Sequence, residues 1–263
     1  MLGLHVLFSL PANPWLQAIL VRLDVPALTA LATPGRSLSA LANATGLLAV
    51  AASGAGLYYM TRCYRIKARP FWNHWQVGTA CFGSALSLGA ILAAAVMLPT
   101  LASIGQGLAP VLTLCTAALA LGLGLEAFGL CAHAVAMAAA QNEGGASHHV
   151  QTTTFGKTYL LRNALLGACL LAATALLIGL VATGGAAGGA DDSTSPSLAI
   201  TAFALIALIS VGLALVSRAL FYVLVIPTTM PGAFFWKNKR FEDHARDIGL
   251  AHLPQVGVAP LRH

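Results

Sequence analysis

Charge is what this chain has least of. Of its 263 residues, 14 are Lys or Arg and 8 are Asp or Glu, together 8%, where a soluble domain carries about 25%. With 58% hydrophobic residues and a mean hydropathy of +0.80, that scarcity excludes a water-facing globule and points to an integral membrane protein. Cysteine is sparse as well. Cys63, Cys81, Cys115, Cys131 and Cys169 form no C-x-x-C pair. That excludes the closely grouped thiolates of an iron–sulfur centre in this chain and gives no paired disulfide framework, so the five read as small hydrophobes. Histidine at membrane depth is nearly absent: of eight, only His133 lies well inside an apolar run. A bis-imidazole haem site within the chain therefore lacks its second ligand. The adjacent His148 and His149 lack a third metal ligand, and no metal site is expected.

What is present is length without charge. Five segments meet or approach the roughly 20 apolar residues a spanning helix needs: Leu38 to Met60, Val77 to Leu98, Leu108 to Ala140, Ala164 to Thr183 and Leu198 to Ile226. They do not alternate as barrel strands of about 10 residues would, which leaves helices to satisfy the backbone in lipid. The expected fold class is all-α, a polytopic membrane bundle of five full transmembrane helices. Residues 38–227 form its transmembrane domain, and residues 228–263 a basic tail. Residues 1–37 read as an N-terminal partial or interfacial helix. Leu16, Ile19, Leu20 and Leu23 share one face after Asn13-Pro14. The opening Met1-Leu-Gly-Leu-His-Val carries no basic region for a signal peptide, so it reads alternatively as the tail of a spanning helix whose front half lies outside this sequence.

Basic residues set the orientation. Arg62, Arg65, Lys67 and Arg69 follow the first run, Lys157 and Arg162 follow the third, and Lys237, Lys239, Arg240, Arg246 and Arg262 lie in the tail. The other side receives the uncharged turn Pro99 to Gly107 and the loop Gly184 to Ser197 with Asp191 and Asp192. The basic loops and the C-terminus are thus expected in the cytoplasm, with Arg22 and Arg36 against the rule. The net charge of +6 and pI near 9.3 call for no nucleic-acid partner, since these residues sit where anionic headgroups attract them. Tyr58, Tyr59, Phe71, Trp72 and Trp75 bracket the first basic loop, and Phe234-Phe235-Trp236 precedes Lys237-Asn238-Lys239-Arg240. Both are aromatic belts, or else docking surfaces for a partner, with Arg69, Trp72, Trp236, Lys237, Lys239 and Arg240 as the contacting residues.

Between Val77 and Ala140 the one charged side chain is Glu126. An acid kept at membrane depth is by default a functional-site hypothesis. His133 stands seven residues on, two turns along the same face and about 10 Å away along the axis. One reading is a proton-coupled site, in which carboxylate and imidazole accept the protons a quinol releases. The other is packing, with a protonated Glu126 bonded to a neighbouring helix. Arg218 and Tyr222 form a second pair four residues apart in the last run. Arg218 either snorkels toward the helix end or offers a counter-charge to Glu126 or to a quinone head group.

Arg218-Ala-Leu-Phe-Tyr222, followed by Pro227, resembles the R-x-x-F-Y signature in the last helix of the membrane-anchor subunits of dimethyl sulfoxide reductase type molybdoenzymes, the DmsC-like family. Three further stretches are similar in order and spacing, from about Leu38 to Gly232. Arg69-Pro70-Phe71-Trp72 matches the family's basic loop before a helix. Glu126 with His133 matches an acid and a histidine late in one helix, and Phe155-Gly156 with Arg162 matches the entry into the next.

The resemblance implies an anchor in the bacterial inner membrane that takes electrons from menaquinol or ubiquinol in anaerobic respiration. It would pass them to a four-cluster iron–sulfur subunit that feeds a molybdopterin catalytic subunit. On that implication Glu126 is the proton acceptor and His133 its relay, while Arg218, Tyr222 and Arg162 contact the quinone. The chain departs from the family in two ways: it shows five full helices rather than eight, and Ala214 stands where the last helix often carries an acid. Two other classes stay open at the level of sequence, a proton-coupled small-solute transporter built on Glu126 and a purely structural anchor.

Overall fold

The computed structural model describes residues 36–186 and 196–224, together with Ser9, Asp243, His244, Arg246, Asp247 and Gly249. The described residues are all-α. There are five long helices, α1 (Arg36–Tyr64), α2 (Gln76–Ser103), α3 (Ala109–Ala139), α5 (Gly156–Ala186) and α6 (Pro196–Val223), and a short one, α4 (Glu143–Thr153), that packs on α3 and α5. The five are long and apolar enough to cross a membrane. The expected N-terminal helix, and the tail with Trp236, Lys237, Lys239 and Arg240, lie outside the described residues.

Three boundaries differ from expectation, each for a local reason. The turn expected from Pro99 is helix, and α2 runs through it to Ser103. Proline is tolerated in membrane-crossing helices, and this one lies on an exposed face near the C-terminal end of α2. The stop comes at Gly105, whose φ of 69° lets its N–H reach the Ala102 carbonyl while the Gln106 N–H reaches that of Leu101. That pair of bonds is a Schellman cap.

The α5 helix begins at Gly156, not Ala164, because no Pro or Gly pair interrupts Lys157 to Asn163. Arg162 therefore sits inside the helix, about 9 Å from its start. The stretch expected as loop is α4. The Asn142 side chain caps it, accepting from the N–H groups of Gly144 and Gly145 at 2.9 and 3.3 Å, and Glu143 complements the helix dipole. Gly144 and Gly145 permit its close approach to the end of α3, since a Cβ on Gly145 would collide with the Ala140 carbonyl.

The bundle is built outward from the α2/α3 pair, with α5 on α3 and α6 on α5, while α1 leans lightly on α2. In lipid no hydrophobic drive separates helix from tail, so small residues that admit close approach decide which helices pair. Gly83 on α2 and Gly122 on α3 face each other so closely that a Cβ on either would meet the other's carbonyl oxygen at 2.6–2.7 Å. One apolar cluster, with Leu98, Leu112, Leu119, Leu166 and Phe203, fills the half of the bundle away from the basic loops. A second, of Phe71, Trp72, Met137, Leu220 and Leu224, closes the basic end. Polar side chains collect between them.

Candidate functional site

Glu126 lies one helical turn from Gly122 on the face of α3 that α2 covers, and it is 6% exposed. Gly83 makes room for it, since a Cβ there would stand 2.8 Å from the Glu126 Cγ. The next residue, Ser84, donates its hydroxyl to the Glu126 Oε1 at 2.5 Å. The carboxylate is thus held from across the helix pair by a hydroxyl that only a glycine crossing brings near.

Two turns further on, the His133 Nε2 bonds the Phe71 carbonyl at 2.9 Å. A carbonyl only accepts, so Nε2 carries the hydrogen, and in the neutral ring Nδ1 is the proton acceptor. The loop that supplies Phe71 folds under the bundle as 3₁₀-like turns from Arg69 to Asn73. Its anchor is Trp72, whose indole N–H donates to the Phe221 carbonyl at 2.9 Å and whose ring stacks on Phe221 at 4.9 Å.

Glu126 and His133 line one cleft at the basic end of the bundle. Ser84 and Gln76 of α2, Gln151 of α4, Arg162 of α5 and Ser217 and Arg218 of α6 complete its polar wall, and Phe71, Leu130, Leu220 and Phe221 its apolar one. Arg162 is 4% exposed, and its guanidinium lies 5.2 Å from the Tyr159 ring centre. Its Nε and Nη2 have no hydrogen-bond partner among the described residues. Arg218 is half-buried at the wall.

At the rim, His74 accepts the Gln76 backbone N–H on its Nδ1 at 3.1 Å, and its ring lies 5.2 Å from that of His133. Burial and, secondarily, the nearby Arg65 hold the His74 imidazole below its usual range. The rim is therefore a neutral acceptor rather than a cation at ordinary pH.

Of the expected site residues, Glu126, His133, Arg162 and Arg218 meet on this cleft. Tyr222 does not. It is 51% exposed, and its hydroxyl pairs with that of Tyr64 at 3.0 Å, outside the cleft lining. Trp72, expected as a belt or docking residue, is 4% exposed and serves as interior packing. Arg69, half-buried, lies over its ring at 4.4 Å.

Reading the sequence missed Gln76, Ser84 and Gln151. Ser84 could have been suspected as a hydroxyl beside a glycine in an apolar run, and Gln76 as a neutral polar residue at a helix entry. Gln151 carries no such signal, since its helix went unread. Among the described residues no three or more His, Cys, Asp or Glu side chains gather as a metal site would require. The chain matches no protein-family model, no curated protein and no solved structure.

Proposed function

We propose that this chain is the membrane anchor and quinol-reactive subunit of a respiratory molybdoenzyme. In this role it passes electrons between the quinone pool and an iron–sulfur partner in the bacterial inner membrane, with the basic end cytoplasmic. The observation that carries the reading is the convergence of Glu126, His133, Arg162 and Arg218, from three helices, on one cleft at the end bearing the basic loop. The ordered similarity of four sequence stretches to such anchors supports it.

Oxidation of a quinol to a quinone releases two electrons and two protons. The Glu126 carboxylate and the His133 Nδ1 are acceptors for the protons, and the electrons leave for the nearest cluster of the partner. The apolar wall suits a ring with an isoprenoid tail entering from lipid. The test is to purify a tagged chain from its native membrane and assay metals. Molybdenum and iron should co-purify in fixed ratio to the chain, and recovery of neither refutes the proposal.

One observation favours a second reading, a purely structural anchor: Glu126 is tied to Ser84 across the closest helix crossing in the bundle. Glu126→Gln separates the two readings. It keeps a hydrogen-bond acceptor for Ser84 but no acid, so in the anchor-and-quinol reading it abolishes quinol-dependent turnover while the complex still assembles. Turnover within about twofold of wild type would leave Glu126 as packing, since a lost proton acceptor typically costs about 10²-fold or more.

A further inference from the structure

The charges on the cleft wall do not balance, and the imbalance has a shape. Arg162 and Arg218 bring two guanidinium groups, which stay protonated in proteins, and Glu126 is the single acid on the wall. Among the described residues, no ion pair within 4.0 Å joins Arg162 or Arg218 to Glu126. Neither arginine therefore meets the Glu126 carboxylate directly, which faces Ser84 instead. The unpartnered donors of Arg162 are Nε and Nη2. In a guanidinium those two N–H groups lie side by side on one edge, and they match two adjacent oxygens that share a negative charge. The Tyr159 ring lies 5.2 Å from the guanidinium carbon, and the two donors are buried in a residue that lines the cleft.

We propose that the cleft binds an amphipathic ligand through two adjacent oxygens sharing one negative charge, taken bidentately by the Nε/Nη2 edge of Arg162. Arg218 supplies the second positive field, and the rest of the ligand lies on the apolar wall. This rests on the cleft being the ligand site argued above, but the oxygen pair can belong to an acidic quinone, in which an ionised hydroxyl neighbours a carbonyl, or to a carboxylate. A phosphate headgroup of an anionic lipid presents the same chemistry. Gln151 and Ser217 stand on the same wall as neutral partners for further oxygens.

The test uses the full chain in nanodiscs of phosphatidylcholine and three compounds: 2-hydroxy-1,4-naphthoquinone, ionised at neutral pH; 2-methoxy-1,4-naphthoquinone, the same ring without the acid; and 2-naphthoate. The hydroxy compound is expected to bind at least about tenfold tighter than the methoxy one, as a charge-assisted bidentate contact should give, and 2-naphthoate should compete with it. Arg162→Lys keeps the charge and removes the edge, so that preference should fall to within about threefold. If this variant does not insert, the comparison of the two quinones on the wild-type chain decides alone.

Equal binding of the two quinones overturns the inference and leaves a neutral quinone site standing. Binding of 2-naphthoate with neither quinone overturns the quinone reading and sustains the oxyanion edge, and binding of none overturns both. Repeating the titration with phosphatidylglycerol in the nanodisc separates the sources. A tenfold loss of affinity for the hydroxy compound would assign Arg162 to lipid phosphate and overturn the exchangeable ligand, while unchanged affinity supports it.

Discussion

Adding one methyl group at Gly122 should force α2 and α3 apart and destabilise the bundle. A Cβ there would lie 2.6 Å from the Gly83 carbonyl oxygen and 2.7 Å from the Ser87 backbone nitrogen, about 0.8 Å inside the distance at which ordinary contact begins. Both obstructing atoms are backbone, so no rotamer change relieves the clash and the helices must separate. A gap of 0.5–1 Å forfeits about a quarter to a half of each contact's attraction along the crossing, and overpacking of this kind costs about 1–3 kcal/mol. The same displacement stretches and weakens the 2.5 Å bond from Ser84 to Glu126.

Gly124, two residues away on the same helix, is the control, because a Cβ there would find only Leu170 Cδ1 at 3.9 Å. Gly89 on α2, with nothing within 4 Å, is the second. Both controls should be neutral or stabilised, since alanine gains up to about 1 kcal/mol over glycine in a helix. Unfolding by SDS titration in mixed micelles would read the differences. If Gly122→Ala unfolds at the same SDS fraction as Gly124→Ala, the α2/α3 crossing is not the close approach described and the placement of Glu126 against Ser84 falls with it.

The hydroxyl that holds Glu126 predicts a coupling: in a double-mutant cycle, Ser84→Ala and Glu126→Leu, which removes the acceptor, should interact by about 0.5–2 kcal/mol in SDS unfolding, and a coupling near zero would sever the pair. Trp72→Leu should destabilise by about 3 kcal/mol or more through lost packing and an orphaned Phe221 carbonyl, whereas Tyr59→Leu, on an exposed position, should stay within about 0.5 kcal/mol; similar values would return Trp72 to the membrane interface. His74 has its proton affinity depressed by folding, so the unfolded chain takes up its proton first, near 6.5. Stability from this group is complete above that pH and is lost as pH falls below it. His74→Asn, which keeps an acceptor for the Gln76 N–H without titrating, should show a shallower loss between about pH 6.5 and 5, and identical pH profiles would remove His74 from that role.

The five spans were legible because bilayer thickness sets the length of an apolar run independently of tertiary structure. Pro99 was misread for the converse reason: proline's cost depends on its surroundings, and near the exposed end of α2 the helix continues through it to Ser103. The α4 helix was hidden because neither face of Glu143–Thr153 is apolar and two glycines follow its cap. Its buried face is Glu143, Ser147 and Gln151, a polar stripe that only the neighbouring helices explain. Glu126 and His133 were placed together by the helical repeat alone. Arg218 and Tyr222 were paired by the same spacing and came apart, because four residues turn about 40° past a full turn. The cleft wall takes Ser217, Arg218 and Phe221, and Tyr222 falls just beyond it, toward Tyr64.

Packing and chemistry at Glu126 are one device rather than competing ones. An ionisable side chain at membrane depth needs a polar neighbour, and a serine next to a glycine crossing is among the cheapest ways to bring a hydroxyl across two helices. Ser84, however, engages only one carboxylate oxygen, Oε1, while the carboxyl still lines the cleft with Arg162 and Arg218. A residue kept only as glue gains most when both oxygens are taken up in the helix pair. One oxygen fixed and a carboxyl facing an open wall is the arrangement of a group positioned to exchange a proton with something else. Glu126→Asp sharpens the distinction: shortened by one methylene, it loses the Ser84 bond but stays acidic. A structural anchor should then respond to Glu126→Asp more than to Glu126→Gln in SDS unfolding and to neither in turnover. A proton-accepting site should reverse the order in quinol-dependent turnover, with Glu126→Asp retaining activity that Glu126→Gln has lost.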